Sequence, residues 1–184
     1  MNQDQIKQLN EAVEAVKTRK IENVYFVACG GSKAIFDPAQ FIFDRETTLP
    51  SFVFNANEFI HRCPKGLGEN SLVVTCSHSG NTLETTRATQ LAGDKGALTI
   101  SFSYRVDSPL WKATQHPISY VWGPESDPGD NNNGMLYRLV FSILNVLQPN
   151  EKYERAIKAC DNLGKVYEAN KAKFAESAKA FGKK

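Results

Sequence analysis

The sequence predicts an α/β fold, a three-layer αβα sandwich with helices on both faces of a five-stranded, mostly parallel sheet. Two observations carry this expectation. Short continuous apolar runs, rich in β-branched and aromatic residues, recur along the chain as strands buried on both faces require. Segments with a helical apolar period separate them, and that alternation implies right-handed βαβ crossovers.

Ile6, Leu9, Val13 and Val16 line one face of a helix expected between positions 4 and 20. Val24-Tyr25-Phe26-Val27-Ala28-Cys29, closed by Gly30-Gly31, reads as the first strand. Positions 51–54, 71–76 and 97–102 share its character, and 118–122, after Pro117, forms a weaker fifth strand. Helices are expected over 32–45, with a kink at Pro38, and over 55–61, 82–92, 107–112 and 134–147. Beyond them, Tyr153, Ile157, Cys160, Tyr167, Phe174, Ala178 and Phe181 recur at nearly helical spacing, which predicts one long amphipathic helix over 151–184. Its stripe must be covered by this domain, another chain or a further segment.

A length of 184 residues fits one domain with a helical extension, here 1–150 followed by 151–184. Hydrophobic residues at 41% and charged residues at 23% are ordinary globular usage. A net charge of +2 with dispersed basic residues lacks the footprint of phosphate-backbone binding, so no nucleic-acid partner is expected. The polar start has no signal core and no run nears the roughly 20 residues that span a bilayer, so the reading is a cytoplasmic chain with no membrane partner. Cys29, Cys63, Cys76 and Cys160 form no C-x-x-C pair and have no accompanying ligand spacing, so they read as reduced core or near-core thiols, with no metal and no cofactor.

The most informative segment is Ser77-His78-Ser79-Gly80-Asn81-Thr82, a hydroxyl-rich turn between a buried strand and a helix. Such a turn offers an anion free N–H groups, the positive end of a helix dipole and the hydroxyls of Ser77, Ser79 and Thr82. Gly80 lets backbone approach the anion with no Cβ in the way. The alternative is that these hydroxyls only cap the helix. A second turn, Gly30-Gly31-Ser32-Lys33, follows the first strand, and both would lie outside strand carboxyl ends, where ligands bind in open parallel sheets. Neither the P-loop pattern nor G-x-G-x-x-G is present, which disfavours nucleotides.

The G-x-S turn after the first strand and the S-x-S-G-x-T turn after the third resemble those of sugar isomerase (SIS) domains, whose fold is flavodoxin-like. Within that family, Tyr25 to Ser32, Asn57-Glu58-Phe59-Ile60, the 77–82 turn and Asp107-Ser108-Pro109-Leu110 look most like the N-terminal half of deglycases acting on 6-phosphorylated fructosamines. The resemblance implies that Ser77, Ser79, Gly80, Asn81 and Thr82 hold a 6-phosphate and that Gly31, Ser32 and His78 face the sugar, with no cofactor. His78 stands where glucosamine-6-phosphate synthase, a related enzyme, has Gln. A neutral hydrogen-bonding role for this loop histidine stays open.

Such enzymes carry two SIS domains, with the catalytic Glu and His in the second. The resemblance therefore implies that helix 151–184 leads to a second SIS domain and that this chain alone is inactive. Glu58-Phe59-Ile60-His61 echoes the catalytic segment but lacks its following G-P, so Glu58 and His61 are candidates whose alternative is a structural or dimer-facing role. Glu125, Asp127 and Asp130, in the turn-rich loop 123–134, are candidates for contact with the sugar or amine, and Glu125 also for catalysis. Expected partners are a phosphorylated sugar or fructosamine and a second SIS domain or second copy. A single-domain aldose–ketose isomerase and a non-enzymatic sugar-phosphate sensor are the competing readings.

Overall fold

The structure, a computed structural model, describes residues 1–124 and 126–182. In chain order the elements are α1 (Gln3–Lys17), β1 (Asn23–Ala28), α2 (Gly30–Ala34), α3 (Phe36–Glu46), β2 (Ser51–Asn55), α4 (Ala56–Arg62), β3 (Ser71–Cys76), α5 (Leu83–Asp94), β4 (Leu98–Ser103), α6 (Pro109–Ala113), β5 (His116–Ser119), α7 (Asn132–Leu147), α8 (Glu151–Cys160) and α9 (Leu163–Phe181). The strands form one sheet in the order β2-β1-β3-β4-β5, and every pairing is parallel. The three-layer α/β expectation is met.

The central strands β3 and β4 are buried at every position, which is why they carry unbroken apolar or small residues rather than an alternating pattern. On one face Phe36 and Phe43 of α3, Met135 and Leu139 of α7 and Leu9 of α1 pack against Phe26, Val74 and Ile100 of the sheet. On the other, Phe59 of α4 and Ala88 and Ala92 of α5 cover Tyr25, Val27 and Val73. The small side chains of α5 let that helix lie close to the sheet.

Four features differ in kind from the sequence expectation. In α1 the buried residues are Gln5, Leu9, Ala12 and Val16, while Ile6 is 42% exposed. A capping box explains the shift: Gln5 N–H donates to the Asn2 side chain at 2.8 Å, and the Gln5 side chain accepts from Asn2 N–H at 2.9 Å, which draws Gln5 inward. The expected kink at Pro38 instead falls at Ile35, because Pro38 sits in the first turn of α3, where its missing N–H breaks no helical bond. Strand β5 occupies 116–119 rather than 118–122, since Val121 N–H turns away to the Asp130 carbonyl at 2.8 Å.

The single helix expected over 151–184 is two helices. They part at Asp161-Asn162, where the buried guanidinium of Arg138 takes the Cys160 carbonyl at 3.0 Å and the Asp161 carboxylate. Tyr153 and Cys160 of α8 are buried, but Val166, Tyr167, Phe174 and Phe181 of α9 are exposed. The stripe at Phe174 and Phe181 of α9 therefore does not lie back on this domain.

Candidate functional site

Strands β1 and β3 are neighbours in register, Ala28 opposite Cys76, so the turns that leave them start side by side. The chain leaves β1 toward the face holding α1, α3 and α7, and leaves β3 toward the face holding α4 and α5. This divergence makes the β1/β3 edge the topological switch point of the sheet, the usual ligand position in a doubly wound sheet.

The 77–82 turn is fixed from several sides. Ser77 N–H donates to the Phe102 carbonyl at 3.1 Å, Gly80 N–H to the Ser77 carbonyl at 3.0 Å, Tyr104 N–H to the His78 carbonyl at 3.1 Å and Leu110 N–H to the Gly80 carbonyl at 3.0 Å. Gly80 has φ +67°, a left-handed conformation suited to glycine. The Ser77 and Thr82 hydroxyls lie 2.9 Å apart, and Ser79 Oγ accepts from Asn81 N–H at 3.2 Å.

Thr82 is the N-cap of α5, yet its side chain makes no capping bond. The simple capping alternative therefore fails for Thr82. The N–H groups of Leu83, Glu84 and Thr85 have no acceptor among the described residues. Unsatisfied donors, the positive end of a twelve-residue helix and neighbouring hydroxyls form an arrangement suited to an oxyanion.

The second turn adjoins the first. Gly30 has φ +54°, and open space surrounds the Cβ positions of Gly30 and Gly31. Ser32 reaches across to Cys76 at the end of β3, and Thr85 Oγ1 of α5 lies 3.9 Å from Cys29 Sγ. Burial pushes the Cys76 thiol up to about 12, an effect the Ser32 hydrogen bond partly offsets.

His78 projects from the turn into an aromatic group that the sequence reading missed. Its Nδ1 is 2.9 Å from the Tyr120 hydroxyl, its ring stacks on Tyr104 at 5.3 Å and 5°, and it meets Trp122 edge-on at 5.1 Å and 68°. Tyr104 and Trp122 are 45% and 57% exposed. All three aromatics lie within three residues of the ends of β4 or β5, and this placement at the ligand edge was the available signal. Beyond Trp122, a depression of about 460 Å³ is bounded by Pro124, Ser126, Asn131 and Tyr167 of α9.

The remaining candidates stand apart from this turn. Glu58 is exposed on α4, 3.4 Å from Arg62, and His61 is exposed one turn later; neither bonds to residues 77–82. Asp127 accepts from Gly129 N–H at 2.7 Å and faces Gly164 of α9. Asp130 takes the chain-terminal ammonium at 2.7 Å and lies 3.8 Å from Arg138. Glu125 lies outside the described residues. Among the described residues no cluster of His, Cys, Asp and Glu could hold a metal ion, and no helix is long and apolar enough to cross a membrane.

Residues 17–148 match the SIS domain family. The chain belongs to the SIS domain family. It is 45% identical over 178 residues to the fructosamine deglycase FrlB of Bacillus subtilis, covering 96% of this chain and 54% of the relative. It is 30% identical over 142 residues to the fructoselysine 6-phosphate deglycase of Escherichia coli K12, covering 75% of this chain and 40% of that protein. Among solved structures, a Bacillus subtilis protein described as a phosphosugar isomerase superposes with TM-score 0.91 at 45% identity, covering 96% of this chain and 54% of the other. A similarly described protein of Salmonella typhimurium gives 0.89 at 31% identity, covering 98% and 55%. The chain spans 40% to 55% of the length of these relatives.

Proposed function

We propose that this SIS domain binds the phosphosugar of a deglycase that cleaves 6-phosphorylated fructosamines to glucose 6-phosphate and free amine. The observation that carries the reading is the anion-suited turn at the β1/β3 switch point, whose α5 donors have no protein acceptor among the described residues. Likeness to a fructosamine deglycase over 96% of the chain supports the choice of sugar.

In this reading the phosphate sits against the N–H groups of Leu83, Glu84 and Thr85, with Ser77, Ser79 and Thr82 donating hydroxyl protons to its oxygens and Gly80 and Asn81 shaping the approach. Gly31 and Ser32 border the sugar from the other turn, where the bare Gly31 leaves room, and His78 faces it from above the turn. With the phosphate clamped, the ring opens, and a carboxylate takes a proton from C1 to give an enaminol, then returns it to C2 to give an imine at C1. Water then replaces the amine at C1, releasing glucose 6-phosphate. The carboxylate and its histidine partner come from a second SIS domain, so the present chain binds without turning over. That second domain, or a second copy of the chain, covers Val166, Tyr167, Phe174 and Phe181 of α9.

Thermal unfolding with fructoselysine 6-phosphate, glucose 6-phosphate, inorganic phosphate and unphosphorylated fructoselysine tests the proposal. A ligand at 100 times its Kd stabilises by about 2.7 kcal/mol. The expected order is fructoselysine 6-phosphate, then glucose 6-phosphate, then phosphate, with no shift from the unphosphorylated compound and no shifts in a Ser77→Ala/Thr82→Val variant. Equal shifts with and without the phosphate would refute the reading, and glucose 6-phosphate release by this chain would refute the assignment of catalysis to another domain.

A further inference from the structure

We infer that Tyr120 is a positioning residue that fixes the Nε2–H tautomer of His78, so that Nε2 is presented as a hydrogen-bond donor. The use of that donor toward an oxygen of the bound phosphosugar rests on the function proposed above; the tautomer does not.

The Tyr120 hydroxyl is buried, the residue being 3% exposed, and the His78 Nδ1 at 2.9 Å is its hydrogen-bond partner among the described residues. Burial also raises the phenol well above its ordinary value, so the oxygen keeps its proton. That proton needs an acceptor, since an unsatisfied buried donor is strongly disfavoured. Nδ1 is an acceptor only when it carries no proton. The other tautomer, protonated at Nδ1, would point N–H at the phenol oxygen and leave the phenolic proton with no acceptor among the described residues.

The neutral ring must then carry its hydrogen on Nε2. Tyr104 on one ring face and the edge of Trp122 hold the imidazole against rotation. Nε2 has no hydrogen-bond partner among the described residues, and His78 is exposed beside the anion-suited turn. The side chain is therefore set to donate to a ligand oxygen, and its Nδ1 is withheld from proton transfer.

Long-range ¹⁵N–¹H correlation spectra of protein labelled at histidine nitrogens read the tautomer directly, with His78→Gln identifying the His78 signals among those of His61 and His116. The expected wild-type pattern is a protonated Nε2 and a bare Nδ1, becoming a mixture of tautomers in Tyr120→Phe. Tyr120→Phe should also weaken glucose 6-phosphate binding by about 3- to 10-fold, the equivalent of one ordinary hydrogen bond. A protonated Nδ1 or a mixture in wild type overturns the assignment, as does an unchanged tautomer in Tyr120→Phe; should that variant not fold, the wild-type spectrum alone decides. A mixed tautomer with undiminished affinity overturns the donor role. The stated tautomer in a wild-type protein that binds no phosphosugar would instead sink the proposed function and leave the Tyr120 assignment standing.

Discussion

A Cβ on Gly80 would lie 2.0 Å from Oγ of Ser108 and 2.3 Å from its Cβ, so the first residue of the α6 cap occupies the space that any side chain at position 80 would need. Gly80→Ala combines this clash with a left-handed backbone, and should destabilise the domain by about 2–4 kcal/mol in urea unfolding. Ser108→Gly removes both clashing atoms and costs the α6 cap only a few tenths of a kcal/mol. The double variant should therefore recover the steric share, and strict additivity of the two losses would show that the contact is not the cause.

Arg138 makes the second prediction. Its guanidinium, 3% exposed, joins the Gly129 carbonyl at 3.2 Å, the Cys160 carbonyl at 3.0 Å and the carboxylates of Asp130 and Asp161. Arg138→Met leaves the Gly129 and Cys160 carbonyls without their donor and unpairs Asp161, and should cost about 3–5 kcal/mol in urea unfolding. Asp161 is largely exposed, so Asp161→Asn should cost clearly less, and equal losses would contradict the central role of the guanidinium.

The third concerns acid. Hydrogen bonds from Lys152 and from Tyr153, the latter at 2.9 Å, hold the Glu46 carboxyl below the usual carboxylate range. A depressed folded value means that the contribution is complete above the ordinary carboxylate value and is lost as pH falls through the depressed one. Melting temperature should therefore decline less steeply in Glu46→Gln than in wild type between about pH 5 and pH 3. Parallel profiles would mean that the pair contributes nothing to acid sensitivity.

The fourth concerns thiol reactivity. Thiolate is the reactive form, and the buried Cys76 thiol is pushed up to about 12. Brief iodoacetamide treatment of the native protein followed by peptide mapping should leave Cys76 unmodified while labelling the partly exposed Cys63, with Cys76 labelled only after denaturation. Early labelling of Cys76 would show that the end of β3 opens readily.

Much of the fold was legible because burial on both faces leaves a plain mark. Val24 to Ala28 and Ser71 to Cys76 could hardly be other than central strands. The 77–82 turn was legible because its chemistry is local: strand, hydroxyls, glycine and helix start follow one another. What the sequence hid depends on distant partners. The break at Asp161 is set by Arg138, 23 positions earlier, and the inward turn of Gln5 on α1 is met by the Ser119 carbonyl, to which its side-chain amide donates at 3.4 Å. The aromatic setting of His78 joins residues from the ends of three strands, which no window along the chain brings together. Glu58, read from a local echo, proved to pair with its helical neighbour Arg62.

The three unclaimed donors at the start of α5 belong to the main chain, so substitution at Leu83, Glu84 or Thr85 leaves them in place unless proline enters. The side chain at position 78, by contrast, projects beside them and is free to change without altering the turn's own backbone bonds. In the function proposed above, the edge thus separates a mutation-tolerant anchoring element from an evolvable selector. A variant library confined to position 78 and its aromatic neighbours would explore new ligands while the anchor stays constant.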